Sequence, residues 1–368
     1  MDTGIKTGIT RRRFVGAMAV ATGLTAGQAL LSGCSANPTT STTEATEKGH
    51  VANGAPQYQD AMNRASKIDA APDDSEALAK FIVVSDTHLS LSYQPYIDRV
   101  QNMFEDIAEF CPDNDAIIVV GDITDSGYAE QYEKFAELAE ASGFSYPEDF
   151  VLVIGNHDQY DSTEGAESAP NLTDLFREQA GIADQVHPYY DRTINGVHLI
   201  VMGPDSYPDD SWLKFGISDD QIEWVDGMLD ADLDNGVLSL VFMHEPLYQT
   251  VRNTEPGDFG HEWSLSDEDN DNLHDCLKKH PNVIFFTGHT HALPDTVQLD
   301  DEEPLYVGTG SVAYCIDDAS DDFSGDGEID TYGSLGWEVT VWTTCIRFRL
   351  RDFLNREYSE VEGAIYQF

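Results

Sequence analysis

From residue 78 onward, short apolar runs alternate with amphipathic stretches. "KFIVVSD" (80–86), "AIIVV" (116–120), "FVLVIGN" (150–156), "VHLIVMG" (197–203), "LSLVFMH" (238–244) and "NVIFFTGH" (282–289) are each a brief apolar run closed by Gly, Asp, Asn or His. Runs of this length, rich in β-branched and aromatic residues, predict buried strands. Between them, residues 96–110, 128–142, 172–181, 218–231 and 266–280 repeat apolar residues every three or four positions and predict helices. Ser218 stands where a helix N-cap is expected and Gly181 where a helix stops. "PLYVGTGS" (304–311) and residues 337–353 are strand-rich. Strands without polar alternation, interleaved with helices, indicate an α/β fold whose sheet is covered on both faces. No internal repeat appears. The pattern predicts one domain over residues 78–350, followed by a C-terminal extension, 351–368.

The first 77 residues read differently. "TRRRFVG" (10–16) precedes an apolar, small-residue run that ends at "LSGC" (31–34). This order resembles a twin-arginine export signal, with Arg11 and Arg12 as the pair, followed by a lipoprotein lipobox with Cys34 as the lipidated residue. The run is too short and too rich in Gly and Ala for a spanning helix. The resemblance implies folded export and a lipid anchor on Cys34, outside the cytoplasmic membrane. Residues 35–77 form a tether: 35–56 are rich in Ser, Thr, Pro and Ala, and 57–66 carry a short helical pattern.

Charge narrows the partners. Asp and Glu number 67 against 20 Lys and Arg, a formal net of −47. A nucleic-acid polymer gains affinity by releasing counterions to basic side chains, and this chain has few to offer, so no nucleic-acid polymer is expected as a partner. Besides Cys34, Cys111, Cys276, Cys315 and Cys345 show no Cys-x-x-Cys spacing, which argues against a zinc ribbon. They read equally as buried thiols or as disulfide partners. "DDFSGDGEID" (321–330) suggests a calcium loop, but Gly333 stands at its twelfth position, where a bidentate Glu is required. It reads as an exposed acidic loop.

Chemistry collects where strands end. "SDTH" supplies Asp86 and His88, "GDITD" supplies Asp122 and Asp125, and "GNHD" supplies Asn156, His157 and Asp158. "MHEP" supplies His244, and "GHTH" supplies His289 and His291. Open α/β sheets place their sites at this rim. Any one of these fragments arises by chance, but five in this order, each following an apolar strand, do not. His50, His187, His198, His261, His274 and His280 lie outside the motifs and read as ordinary surface or core histidines.

Over residues 80–292 the ordered motifs resemble the calcineurin-like metallophosphoesterase family. The resemblance implies two packed mixed β-sheets flanked by helices, a four-layer α/β sandwich, with two divalent metal ions at the strand ends. It implies Asp86, His88, Asp122 and His291 as ligands of one ion and Asp122, Asn156, His244 and His289 as ligands of the other, Asp122 bridging. His157 is then the catalytic imidazole outside the coordination sphere, and Asp125 its orienting partner. Two such ions clamp an in-line displacement at phosphorus and acidify a shared water. Mixed nitrogen and oxygen donors suit Mn, Fe, Zn, Co or Ni.

The expected activity is hydrolysis of a small extracellular phosphomonoester or phosphodiester. A phospholipid-head-group or nucleotide phosphodiesterase is the alternative, and a catalytically silent binding lipoprotein is the non-enzymatic one. "GDITDS" lacks the Arg that protein Ser/Thr phosphatases carry after this Asp, and "MHEP" is similar to the loops of smaller phosphodiesterases of the family. Tyr93, Tyr160, Tyr207, Trp212, Tyr248 and Trp263, in long loops between motifs, are candidates to line a substrate pocket. Arg252 is a candidate to hold a second anionic group.

Overall fold

Thirteen strands, β1 to β13, make two sheets among the residues that the computed structural model describes: 71–159, 169–206, 215–280, 282–299, 303–316, 333–359 and 364–367. The export and lipid signals, the 57–66 pattern, Tyr160, Tyr207, Trp212 and the 321–330 loop lie outside these residues. In the first sheet, β1 (Ala79–Val84), β2 (Ala116–Val120) and β3 (Phe150–Val153) run parallel, with Phe81 opposite Ala116 and Ile117 opposite Phe150. Antiparallel β10 (Leu335–Val341) and β11 (Cys345–Asp352) extend it beyond β1. β12 (Glu357–Tyr358) and β13 (Ile365–Gln367) both return to pair with β11. The expected boundary at residue 350 therefore falls inside a strand, and the C-terminal extension is part of the sheet.

The second sheet has the order β4 (Tyr190–Ile194), β5 (Val197–Val201), β6 (Ser239–Phe242), β7 (Val283–Thr287), β9 (Leu305–Gly308), β8 (Asp295–Gln298). From β5 to β9 the neighbours are parallel; β4 and β8 close the edges antiparallel. The expected fold class is the one observed: two mixed sheets face each other, with helices outside both.

Three apolar layers hold this together. Phe81, Val83, Phe242, Phe286, Trp337 and Phe348 belong to the layer between the sheets. The opposite face of the first sheet packs on helices α1 (Gln94–Phe110), α2 (Ala129–Ala141) and α3 (Ala169–Gln179). α1 buries Ile97, Val100, Met103, Phe104 and Ile107, a stripe at helical spacing. The outer face of the second sheet packs on α4 (Asp219–Asn235) and α6 (Asp267–Leu277), with the one-turn α5 (Phe259–Glu262) between them in sequence. Ser218 does cap α4, accepting from the Gln221 N–H at 3.2 Å, and Gly236 ends it at φ 64°. Among the described residues no helix is long and apolar enough to cross a membrane. Cys111, Cys276, Cys315 and Cys345 are buried free thiols, which resolves the alternative left open by the sequence.

Candidate metal centre

Every strand that leads into a motif ends at the same rim. Asp86 and His88 follow β1, Asp122 follows β2, and Asn156 and His157 follow β3. His244 follows β6, and His289 and His291 follow β7. Four of the expected donors thus come from the first sheet and three from the second. Main-chain bonds tie the loops together: Asp86 N–H to Gly121 O (3.1 Å), His88 N–H to Asp122 O (2.9 Å), and Gly288 N–H to His244 O (3.1 Å). Asp86, His88, Asp122, His289 and His291 all have positive φ, between 41° and 66°. Non-glycine residues adopt that region at a cost, and such residues cluster where side chains must be aimed. Two glycines make room. A Cβ on Gly155 would stand 2.2 Å from Asp122 N, and one on Gly288 2.3 Å from Ser85 Oγ and 2.9 Å from Asp86 Oδ2.

The side chains converge on two adjoining points. At the first, His88 Nε2 and His291 Nε2 are 3.0 Å apart, Asp86 Oδ1 is 3.2 Å from His291 Nε2, and Asp122 Oδ2 is 3.5 Å from His88 Nε2. At the second, Asn156 Oδ1 is 3.2 Å from His244 Nε2 and 2.9 Å from His289 Nδ1. His244 Nε2 is also 3.2 Å from Asp122 Oδ2, so one carboxylate oxygen faces both points. All seven donors are buried.

This donor set fits cations. His244 Nδ1 donates to Val120 O at 2.7 Å and His291 Nδ1 to Tyr314 O at 3.2 Å. Their Nε2 atoms thereby face carboxylate and amide oxygens. Asp86 Oδ1 is buried without a hydrogen-bond partner, while Oδ2 accepts from Ser85 and from the His289 N–H. Acceptors pressed together away from water are costly unless a positive charge lies among them. The titration of the group reflects the same demand. Burial opposes ionisation of Asp122, but His244 and His157 outweigh it and hold the carboxyl well below its ordinary range. Burial opposes protonation of His244, but Asp122 and Asp86 raise it well above the ordinary imidazole value. His289, disfavoured by burial and by His244, drops to about 3 and stays a neutral donor. Asp86, His88, Asp122 and His291 form one group with metal-holding geometry; His88, Asp125 and His157 form another.

Not every expected partner is where the sequence put it. His157 lies against His88, ring centroids 4.5 Å apart, and its main-chain N–H donates to Asp122 Oδ1 at 2.9 Å. Its Nδ1 meets the main-chain carbonyl of Asp125 at 3.0 Å, not the carboxylate. The Asp125 carboxylate lies 3.8 Å from His88 Nδ1 instead. Asp125 thus steadies His157 through its backbone and a donor histidine through its side chain. Arg252 is held at Asp295, whose Oδ2 accepts the Arg252 main-chain N–H at 3.1 Å. Tyr248 stacks on His261 at 4.0 Å and donates to Leu265 O at 2.5 Å, which packs its own loop.

Two of the candidate pocket residues, Tyr93 and Trp263, stand beside aromatic residues that the sequence did not single out, Tyr96, Tyr314 and Phe259. Tyr314 stacks on His291 at 4.2 Å and on Tyr96 at 6.2 Å, and Tyr93 meets Tyr96 edge-on. Phe259, with Trp263 against it, stacks on His289 at 4.7 Å. Asp158, quoted within "GNHD", is a strut. It accepts from the main-chain N–H groups of Ile123, Thr124 and Gly155 and from the hydroxyls of Thr124 and Tyr132, locking the second motif loop to the third. Its signal in the sequence was adjacency to His157 alone.

Comparison with known proteins agrees with this fold. Residues 79–293 match the profile of the family described as calcineurin-like phosphoesterase. A protein of Arcobacter nitrofigilis named "Probable glycerophosphodiester phosphodiesterase GpdQ" is 26% identical over 229 residues, covering 59% of this chain and 73% of that one. A dimetal phosphatase from Danio rerio superposes with a TM-score of 0.56 at 12% identity, over 79% of this chain and 99% of its own. The purple acid phosphatase PPD1 of yellow lupin superposes at 0.54 and 13% identity, over 78% of this chain and 53% of its own.

Proposed function

The chain belongs to the calcineurin-like phosphoesterase family, and on that premise we propose that it is a metal-dependent hydrolase of small phosphodiesters, with glycerophosphodiesters as the first class to try. One observation carries the reading: seven buried donors from both sheets converge on two points that share Asp122 Oδ2. Asp86, His88, Asp122 and His291 would hold one divalent ion, and Asp122, Asn156, His244 and His289 the other. When bound, such a pair clamps the phosphoryl oxygens and acidifies water at neutral pH. The chain's own residues do the rest. The Asp125 carbonyl orients His157, and Asp122 with that carbonyl raises the imidazole above its ordinary value against the pull of burial. His157 is thereby able to hand a proton to the leaving oxygen. Tyr314 and Tyr96 on one side, and Phe259 with Trp263 on the other, give the substrate apolar flanks. The name of the Arcobacter relative favours a diester over a monoester.

The test uses bis(p-nitrophenyl) phosphate, p-nitrophenyl phosphate and glycerophosphocholine with chelator-treated protein, before and after Mn²⁺, Zn²⁺ or Co²⁺. Metal-restored cleavage of the diesters, faster than of the monoester, is expected. Monoester preference would overturn the substrate class, and failure on all three under every metal would overturn the hydrolase. The N-terminal motif order supports export by the twin-arginine route and a lipid on Cys34. Incorporation of labelled fatty acid that is lost in Cys34→Ser tests it.

A further inference from the structure

The helical layer outside the second sheet holds another group of metal-ligand side chains. Asp226 and Asp230 are four residues apart on α4; Cys276, on α6, and His280, just beyond its end, are also four apart. Positions i and i+4 share a helix face. α4 and α6 pack through Val225, Leu229, Leu273 and Leu277, which brings the two pairs together. Asp226 Oδ1 lies 3.4 Å from Cys276 Sγ and 4.0 Å from His280 Nε2, and Asp230 Oδ1 lies 3.0 Å from that same nitrogen. A tetrahedral zinc site, with bonds of about 2.0–2.2 Å to N or O and about 2.3 Å to S, has donor–donor edges of about 3.3–3.8 Å. Asp226, Cys276 and His280 offer ligand atoms all within 4.8 Å of one another, close to that range, and Asp230 adjoins the group at His280.

The imidazole is set for the purpose. His280 Nδ1–H donates to the Cys276 main-chain carbonyl at 3.0 Å, which leaves Nε2 facing two carboxylate oxygens. A ring fixed at one nitrogen by a helix carbonyl, with the other presented, is the arrangement of metal-ligating histidines. Cys276 and His280 are buried, whereas Asp230 is largely open to water, so an ion has a way in. Lys279 Nζ, 3.2 Å from Asp226 Oδ1, brings positive charge from the solvent side on a side chain that is itself 61% exposed.

We infer that Asp226, Cys276 and His280 hold one thiophilic divalent cation, zinc by its donor set, with the exposed Asp230 side chain turning in from beside His280 as the fourth ligand, so that the ion clasps α4 to the end of α6. On binding, the Cys276 S–H bond breaks, its proton and any proton on His280 Nε2 go to solvent, and sulfur and nitrogen bond the ion; the Lys279 ammonium turns outward. Nothing is oxidised or reduced. Burial and the Asp226 carboxylate push the free thiol up to about 12, so binding tightens as pH rises. With Asp230 drawn in as the fourth donor the site has no open position and serves structure, not hydrolysis. It is separate from the catalytic centre. α6 leads into the N-terminal end of β7, whereas the catalytic donors follow the strands' C-terminal ends.

Cobalt is the probe, because thiolate ligation gives a near-ultraviolet charge-transfer absorption that the sulfur-free catalytic centre cannot produce. Full-length chain is stripped with chelator, reloaded with Co²⁺, and read by absorbance and by metal content. Wild type is expected to show the band and three ions per chain. Cys276→Ser is expected to lose the band and one ion while keeping phosphoesterase turnover, and Asp122→Asn to keep the band. Asp230→Asn, at an exposed position that leaves folding intact, removes a direct ligand. It is expected to weaken the cobalt band's affinity at least the ~10-fold that losing a ligand's support costs. No band in wild type, a band that survives in Cys276→Ser, or unchanged affinity in Asp230→Asn would overturn the site.

Discussion

Each oxygen of the Asp122 carboxylate has a separate task. Oδ1 accepts from the His157 N–H, and Oδ2 stands between His88 and His244. Asp122→Asn places an amide where a shared anion is needed, so metal content and turnover are expected to fall together, measured by elemental analysis and diester hydrolysis. His157→Ala leaves the main-chain donor to Asp122 in place; it should keep its metals and slow turnover by about 10²–10⁴-fold. Protonation gives a further outcome. Because His244 is raised, its proton competes with a cation, and metal affinity is expected to climb with pH by about tenfold per unit for each proton displaced; calorimetric Mn²⁺ titration across neutral pH reads this. In metal-stripped protein the signs separate. His244 stabilises the fold below its unfolded value and loses that contribution as pH rises through its folded one. Asp86 and Asp122, both lowered, stabilise above their unfolded values and lose it as pH falls through their folded ones. At this scale the gathering of Asp, Asn and His at strand ends was legible in the sequence, because the motifs follow apolar strands in a family's order; position alone did not separate the strut Asp158 from its neighbours. Which atom of Asp125 meets His157 was not legible, since main-chain and side-chain oxygens of one residue are a rotamer apart.

Among the elements, the largely buried strands β1, β2, β3, β6 and β7 announced themselves as apolar runs. β4, "YDRTI", did not. It is an edge strand whose middle three residues are exposed, so its composition follows solvent and not the core. β8, "DTVQ", has a single apolar residue, and the two-residue β12 is too short to carry a pattern. The assignment of strands to two sheets was also hidden, because pairing between β1 and β10 joins residues far apart in sequence. That long-range pairing has a specific anchor. Arg351 on β11 donates through Nε and an Nη to both oxygens of Asp106 on α1, each at 2.7 Å, with both side chains buried. Asp106→Ala leaves a buried guanidinium unpaired and is expected to cost about 3–5 kcal/mol, seen as a lower midpoint in urea unfolding. If the midpoint does not move, the pair is not what holds β11 to α1.

For the molecule as a whole, a net charge of −47 acts against compaction. Added salt screens that repulsion over a Debye length of ~10 Å at 0.1 M, so the melting temperature is expected to rise between low and moderate NaCl; a fall would show that attractive ion pairs dominate. Metal loading acts in the same direction by binding the native state alone. The donors come from both sheets, and this has a consequence far from the chemistry. Productive geometry tolerates only about 0.5 Å of misplacement. Any slippage of one sheet over the other must therefore register at the ions. Phe286 lies in the middle layer, stacked on Phe242 and tilted against Phe348. Thinning that contact should loosen the grip on metal, which makes cation affinity a gauge of how faithfully the two halves of the sandwich are aligned.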